Sequence, residues 1–153
     1  MNYIYFSIIV PVYNEEGNLE ALVSNILVTM QTLKKPWEVI LVNDGSTDGS
    51  EIILKKLQKK YSQVRIIHFT RNFGQTAAFS AGFDNARGQV LITMDADLQN
   101  DPVDIPGMIA YMHKEHADIV CGWRKNRHDP LFRTFLSHSA NSIINAFLHT
   151  NIH

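Results

Sequence analysis

The feature that most constrains this chain is a regular alternation of short apolar runs with amphipathic stretches of helical spacing. The apolar runs are rich in Val and Ile and nearly continuous, as expected for strands that are covered on both faces. Such alternation predicts βαβ units, and therefore an α/β fold with a mainly parallel sheet and helices on both faces. The predicted strands are Phe6–Val12, Glu38–Val42, Val64–Phe69, Gln89–Met94 and Asp118–Gly122.

Four helices are predicted between these strands. In the first, apolar residues recur at helical spacing from Leu19 to Leu33, with Asn14 as the expected N-cap and Glu15–Glu16 in the first turn. Thr47 or Asp48 is expected to cap the second helix. The remaining helices are predicted at about Ser50–Tyr61, Thr76–Ala86 and Ile105–His116.

Length and composition indicate an ordinary globular protein. A chain of 153 residues is the size of one domain, predicted here over residues 1–153. The net charge of -1 argues against nucleic acid as a partner. The single cysteine, Cys121, excludes an intramolecular disulfide, suits a reducing compartment and is expected to be buried. No signal peptide and no run of about 18 apolar residues is apparent, so we expect a cytoplasmic chain that does not itself span a membrane.

Polar residues are concentrated directly after the predicted strands. In an open parallel sheet, ligands bind beyond the carboxyl ends of the strands, so these segments are expected to form one site. The segments are Pro11–Glu15, Asn43–Asp48, Thr70–Gln75, Asp95–Pro102 and Trp123–Arg127.

In the run VLITMDADLQNDP, two carboxylates, Asp95 and Asp97, follow the end of an apolar strand. Their spacing allows both to converge on one hard cation, and oxygen ligands favour Mg²⁺ or Mn²⁺. Such a cation would neutralise charge on a departing diphosphate. The alternative is that the aspartates only cap the strand and its turn.

The run VILVNDGSTDGS places Asp44 at the tip of the second strand. A carboxylate there can accept the ring N–H of a uracil or a guanine, whereas Thr47 and Asp48 are better explained as helix-capping residues. The segment lacks the Gly-Lys-Ser/Thr of a P-loop and the Gly-x-Gly-x-x-Gly of a dinucleotide-binding fold.

Four motifs together resemble the inverting glycosyltransferases of family two: SIIVPVYNEE, VNDGSTDGS, TRNFGQTAAFSAGFDNARG and MDADLQNDP. Within that family the chain is most similar to polyprenyl- and dolichyl-phosphate glycosyltransferases, which have a GT-A fold. The resemblance extends from Ser7 to about His149. It implies transfer of a sugar from a UDP- or GDP-sugar to a polyprenyl phosphate, with Mg²⁺ or Mn²⁺ as cofactor.

The resemblance also implies roles for particular residues. Asp95 and Asp97 would form the metal-and-diphosphate motif, with Asp97 catalytic, and Gln99 would be a further metal ligand. Arg71 and Asn72 would position the donor, although a structural salt bridge of Arg71 is an equal alternative. The nucleoside pocket would consist of Pro11, Tyr13, Glu15 and Asp44.

The acceptor site is expected in the run GWRKNRHDPLFRTFLSHSAN. Arg133 and Ser137 are four residues apart and so share a helix face. By resemblance, they and Arg124 or Arg127 would bind the lipid phosphate, because guanidinium groups fork onto phosphate oxygens. The alternative is a solvated basic surface.

Members of the resembled family usually continue beyond this length into further acceptor elements and membrane-associated helices. We therefore expect a C-terminally truncated catalytic part, whose contact with the membrane surface depends on the absent region. Three alternatives remain: a family-two enzyme acting on a saccharide hydroxyl, a non-catalytic nucleotide-sugar-binding module, and a phosphatase of the haloacid-dehalogenase type. The first would need a carboxylate base, for which no Glu-Asp motif is apparent.

Overall fold

The computed structural model describes residues 3–122, and its centre is a four-stranded parallel sheet. The strand order is β3-β2-β1-β4, so the first strand is internal and the fourth lies beside it. The strands are β1 (Phe6–Val12), β2 (Trp37–Asn43), β3 (Val64–His68) and β4 (Val90–Thr93).

Helices follow each strand, as the alternation predicts. They are α1 (Leu19–Thr32), α2 (Ser50–Lys60), α3 (Gln75–Asn85) and α4 (Ile105–Glu115), the last preceded by a 3₁₀ turn at Pro102–Asp104. The four matching strands and the helices α2, α3 and α4 begin and end within about one residue of their predicted limits, whereas α1 begins four residues later than predicted.

The sheet buries apolar side chains on both faces. On one face, Ile8 and Val10 of β1 pack in a core with the apolar sides of α1, α2 and α4. On the other, Ile40 and Val42 of β2 pack against Ala78 of α3. The prediction of a parallel sheet with helices on both faces is therefore confirmed.

The predicted cap of α1 is wrong. The helix begins at Leu19 with Asn18 as its N-cap, so Asn14 and Glu15–Glu16 precede the first turn. Asn14 has a φ of 56° and its side chain bonds to another loop, as described below. The N-cap of α2 is Gly49, although the Asp48 carboxylate does accept the first helical N–H, from Ser50, at 3.0 Å.

Two predictions for the segment after α4 are also wrong. No strand forms at Asp118–Gly122, and Ile119 is 80% exposed. Cys121 is exposed rather than buried. One compact unit extends as far as Asp118, and of the unit that begins at Ile119 the structure describes only the first four residues. None of the helices among residues 3–122 combines the length and the apolar character needed to cross a membrane.

A buried polar cluster joins the N-terminal ends of the strands. The Glu38 carboxylate, in a residue 3% exposed, accepts hydrogen bonds from Ser7 Oγ at 2.8 Å and from the Arg87 N–H at 2.9 Å. Arg65 pairs with its other oxygen at 2.8 Å. Burial opposes ionisation of Glu38, but the bonds from Arg65, Ser7 and Arg87 outweigh it and hold its pKa below the ordinary value. This cluster fixes the connection from α3 to β4.

Candidate functional site

An open cavity of about 380 Å³ lies at the C-terminal ends of the strands. The chain moves from β1 through β2 to β3 on one side and then returns to place β4 on the other side of β1. The ends of β1 and β4 therefore form the topological switch point, where open α/β sheets bind ligands. Loops from all four strands contribute to the cavity wall.

The cavity brings together most of the site residues predicted from the sequence. Asp95 and Asp97 line it from β4, and Asn72 lines it from the loop after β3. Gly74 and Gln75 also line it, although sequence reasoning gave neither a role. The predicted nucleoside-pocket residues Pro11, Tyr13, Glu15 and Asp44 all line the cavity as well.

Arg71 and Gln99 lie outside this lining. The Arg71 guanidinium carbon lies 4.8 Å from the centroid of the Phe73 ring, a cation–π contact. Among the residues that the structure describes, Arg71 forms no ion pair, so the salt-bridge alternative gains no support there. Gln99 is exposed, and its backbone N–H donates to Asp97 Oδ1 at 3.0 Å. The predicted acceptor residues Arg124, Arg127, Arg133 and Ser137 lie outside the described residues.

The two carboxylates that follow β4 differ in their surroundings. Asp95 is half-buried and accepts hydrogen bonds on both oxygens, from Gln75 Nε2 at 2.8 Å and from Asn100 Nδ2 at 3.3 Å. Asp97 is exposed to the cavity, and the backbone turns sharply after it, because Leu98 has a φ of 60°. Asp95 is thus held by one side-chain amide from the start of α3 and by another from its own loop.

Asp44 is buried, at 3% exposed, and its carboxylate bonds to the loop that follows β3. Oδ1 accepts from the Phe73 N–H at 2.7 Å and Oδ2 from the Gly74 N–H at 2.9 Å. Gly45 completes the contact, since a Cβ there would lie 2.3 Å from the carbonyl carbon of Arg71. Gly45 also has a φ of 67°, which glycine adopts without strain. The Asp-Gly pair therefore fixes the third loop of the site.

The loops after β1 and β2 hold each other by reciprocal hydrogen bonds. The Asn14 side chain accepts the Thr47 N–H at 2.8 Å, and the Asn14 N–H donates to Ser46 Oγ at 3.0 Å. The Glu16 carboxylate accepts the Gly49 N–H at 2.6 Å. Asn14, expected to cap α1, and Glu16, expected in the first turn of that helix, therefore bond to the neighbouring loop instead.

Asp48 belongs to the same network. It accepts the Glu16 N–H at 3.1 Å and the Ser50 N–H at 3.0 Å. Desolvation opposes ionisation of this carboxyl, but hydrogen bonds from Ser50 and Glu16 hold its pKa below the ordinary value. Asp48 therefore stays ionised at neutral pH and supports the two loops that carry Tyr13, Glu15 and Asp44.

The donor chemistry of Asp95 and Asp97 fits a hard divalent cation. Both supply carboxylate oxygens to one open cavity, and Mg²⁺ and Mn²⁺ prefer such ligands, with water and substrate phosphates filling the other positions. Within the described part of the chain, no three His, Cys, Asp or Glu side chains form a group that could hold a metal without such additional ligands.

The fold is that of the GT-A glycosyltransferases. TarS of S. aureus (residues 1–349) superposes with a TM-score of 0.60 at 24% identity, over 83% of this chain and 38% of that one. A mannosyltransferase from Pyrobaculum calidifontis, solved with GDP-Man and Mn²⁺, superposes with a TM-score of 0.62 at 22% identity, over 73% of this chain and 33% of that one.

The chain belongs to glycosyl transferase family 2, whose family model matches residues 7–152. It is 44% identical over 149 residues to the dodecaprenyl-phosphate galacturonate synthase of Rhizobium johnstonii, covering 96% of this chain and 44% of the relative. It is 42% identical over 139 residues to the undecaprenyl-phosphate 4-deoxy-4-formamido-L-arabinose transferase of Pectobacterium carotovorum, covering 90% and 42%. The chain thus spans less than half the length of these relatives. The resemblance to polyprenyl-phosphate glycosyltransferases of family two is confirmed.

Proposed function

We propose that this chain is the donor-binding part of a metal-dependent, inverting glycosyltransferase that moves a sugar from a UDP- or GDP-sugar to a polyprenyl phosphate. The observation that carries the proposal is the convergence of Asp44, Asp95 and Asp97 on one cavity at the switch point of the sheet. The names of the two relatives supply the class of acceptor.

The nucleoside end of the donor would lie against Pro11, Tyr13, Glu15 and Asp44. Tyr13 is 47% exposed, so its ring is available to a base or ribose. Glu15 is held by Asn18, whose Nδ2 donates to Oε2 at 2.7 Å. A carboxylate oxygen accepts more than one hydrogen bond, so Asp44 can accept a base N–H while it retains the loop after β3. Either uracil or guanine meets that requirement.

The diphosphate end would lie beside Asp95 and Asp97, which would hold Mg²⁺ or Mn²⁺, with Gln99 as the proposed further ligand. The cation would supply charge neutralisation for the departing nucleoside diphosphate. Asn72, which lines the same cavity, would orient the donor, and Arg71 would approach from the same loop. These residues would contribute alignment of the donor rather than proton transfer.

The acceptor oxygen of a lipid phosphate is anionic near neutral pH, so attack on the anomeric carbon needs no strong general base. The acceptor oxygen would attack opposite the leaving diphosphate, which inverts the anomeric configuration. We assign the acceptor phosphate to Arg124, Arg133 and Ser137, because an arginine remains charged at every relevant pH. A lipid acceptor would place the reaction at the cytoplasmic face of a membrane.

Titration calorimetry with UDP and GDP tests the donor site. Each nucleotide is titrated with Mn²⁺ and with EDTA, into the wild-type chain and Asp97→Ala. We expect one nucleotide to bind with Mn²⁺, and the affinity to fall at least tenfold in the variant, which is about 1.4 kcal/mol or more.

A Lys56→Ala variant, on the exposed face of α2, is the control and should bind like the wild type. If the folded wild-type chain binds neither nucleotide, the donor-site assignment is wrong for this chain. The chain could also bind the donor while a longer form of it transfers no sugar to a polyprenyl phosphate. In that case a non-catalytic nucleotide-sugar-binding module replaces the proposed glycosyltransferase.

A further inference from the structure

A three-residue segment, Phe73–Gln75, contacts a carboxylate on each side of β1. Asp44 follows β2 and Asp95 follows β4, and the two strands flank β1 in the sheet. Asp44 binds the start of the segment and Gln75, at its end, binds Asp95. The segment therefore bridges the proposed nucleoside and metal ends of the cavity.

The Asp44 end of this bridge is rigidly determined. Two backbone N–H groups point at the two carboxylate oxygens, at 2.7 Å and 2.9 Å. Gly45 lies so close to Arg71 and Asn72 that a methyl group could not be accommodated. Gly74 has a φ of 92°, a conformation that favours glycine and that turns the chain into α3.

At the other end, Asp95 accepts hydrogen bonds from two side-chain amides, and Gln75 is the one that belongs to the bridge. Gln75 is the first residue of α3, and its Nε2 donates to Asp95 Oδ1 at 2.8 Å. Its backbone position is set by Gly74, the residue that Asp44 anchors. A carboxylate that ligates a metal is oriented by hydrogen bonds from outside the ligand set, and removal of such a donor commonly costs about 10–100-fold in metal affinity.

We propose that Gln75 is a positioning residue that orients Asp95 for the divalent cation, and that Asp44 sets the position of Gln75 through the Phe73–Gln75 bridge. This inference rests on the proposed function, because it assigns a role within the same site. It makes the metal end of the cavity dependent on a carboxylate at the nucleoside end, even when no nucleotide is bound.

Binding of Mn²⁺ measured by electron paramagnetic resonance, without nucleotide and with saturating UDP or GDP, tests the role of Gln75. Gln75→Ala is expected to weaken Mn²⁺ binding about 10-fold, while the affinity for uridine or guanosine in EDTA stays within about twofold of the wild type. A generally damaged site would weaken both. Gln58→Ala, at an exposed glutamine of α2, is the matched control. Equal Mn²⁺ affinity in Gln75→Ala and the wild type overturns the proposal.

Asp44→Asn tests the bridge. A carboxamide keeps one acceptor oxygen but turns an NH₂ group toward a backbone N–H, so one of the two bonds is lost. We expect Mn²⁺ affinity without nucleotide to fall about threefold, since residues of one hydrogen-bonded network are coupled. Unchanged Mn²⁺ affinity in the folded Asp44→Asn variant would overturn the bridge, whether or not nucleoside binding is lost.

A nuclear magnetic resonance readout separates failure of this inference from failure of the proposed function. The side-chain amide signal of Gln75, assigned by its absence in Gln75→Ala, should shift in Asp95→Asn, while that of Gln58 should not. If it does not shift, the Gln75–Asp95 contact is absent and the inference is wrong, whatever the metal does. If it shifts but the wild type binds no Mn²⁺ under any condition, the proposed function is wrong, and the positioning role falls with it.

Discussion

The carboxylates at the two ends of the parallel sheet differ in their exposure to solvent. At the N-terminal end, Glu38 receives hydrogen bonds from Ser7, Arg65 and the Arg87 backbone and is almost wholly buried. At the C-terminal end, Asp95 and Asp97 face an open cavity, and Asp97 is exposed. The first end buries its carboxylate among partners from within the chain, whereas at the second end Asp97 is exposed and Asp95, although hydrogen-bonded, still lines a cavity that a ligand can enter.

This comparison shows that the burial of a carboxylate indicates whether it stabilises the fold or is accessible to a ligand. A buried charge is tolerated only when it is paired and hydrogen-bonded, so Glu38 contributes to the fold and has no access to a ligand. Asp44 combines both features, because it is buried and yet lines the cavity. Substitutions at the two ends should therefore separate stability from binding.

The largest expected effect is that of Glu38→Ala on stability. Removal of the carboxylate leaves the Arg87 N–H and the Ser7 hydroxyl without their acceptor and Arg65 without its counter-ion. We expect the free energy of unfolding to fall by about 3 kcal/mol, at the low end for a buried pair because the Arg65 side chain is 29% exposed. Urea unfolding measures the change.

Glu51→Ala is the control for that experiment. Glu51 pairs with Lys55 on the exposed surface of α2, so its loss should leave the free energy of unfolding close to that of the wild type. Equal losses in the two variants would remove the distinction drawn between the buried cluster and an ordinary surface pair.

Gly45→Ala should affect both stability and binding, because Gly45 lies at the C-terminal end. An added Cβ would meet the Arg71 backbone at 2.3 Å, and the φ of 67° would be strained. We expect a loss of about 2 kcal/mol in urea unfolding, together with weaker nucleotide binding by calorimetry, because the loop that carries Asn72 must move.

Gly107→Ala provides the contrasting glycine. It lies within α4, and a Cβ there meets nothing within 4 Å. This substitution should raise the free energy of unfolding by about 0.5–1 kcal/mol and leave nucleotide binding unchanged. A destabilised Gly107→Ala would contradict the packing described for α4.

Asn14→Ala should cost less, about 1–2 kcal/mol. It removes the acceptor of the Thr47 N–H and also places alanine at a φ of 56°. Asn14→Gly removes the same acceptor without the backbone strain, so we expect about 1 kcal/mol or less from it. Thermal or urea unfolding of the pair separates the two contributions, and identical losses would show that strain contributes nothing.

The smallest expected effect is a dependence of stability on pH that originates at Glu38. Its pKa is lower in the folded protein than its ordinary value of 4.5, so the unfolded chain binds the proton more tightly. The stabilisation is therefore complete above that value and is lost as the pH falls through the folded pKa. Urea midpoints from pH 7 down to pH 3 should decline less steeply in Glu38→Gln than in the wild type. Parallel profiles would contradict this assignment.

The sequence predicts those features of the fold and the site that depend on local residue pattern. The bounds of β1 are Phe6–Val12 in both prediction and structure, because a continuous apolar run between polar segments identifies a buried strand. The convergence of Tyr13, Asp44, Asp95 and Asp97 also follows, since the carboxyl ends of parallel strands share one edge.

The sequence does not predict contacts between distant loops. Asn14 and Thr47 are 33 residues apart, and Asn14 is of a type that also caps helices, so composition alone favours the cap. The partners of Glu38 lie between 27 and 49 residues away, beyond the reach of any periodicity. The prediction of a strand at Asp118–Gly122 is wrong for a related reason. An apolar run forms a strand only where a neighbouring strand pairs with it, and sequence pattern does not show that pairing.

Backbone amide shift mapping with UDP and GDP, in the presence of Mg²⁺, tests the central claim most directly. The claim is that the C-terminal end of the sheet binds the donor while the N-terminal end only supports the fold. Shifts should therefore occur at Tyr13, Asp44, Gly74 and Ala96 and be absent at Ser7, Glu38 and Gly88. Shifts concentrated around Glu38, or nucleotide binding that leaves the cavity residues unperturbed, would contradict the account.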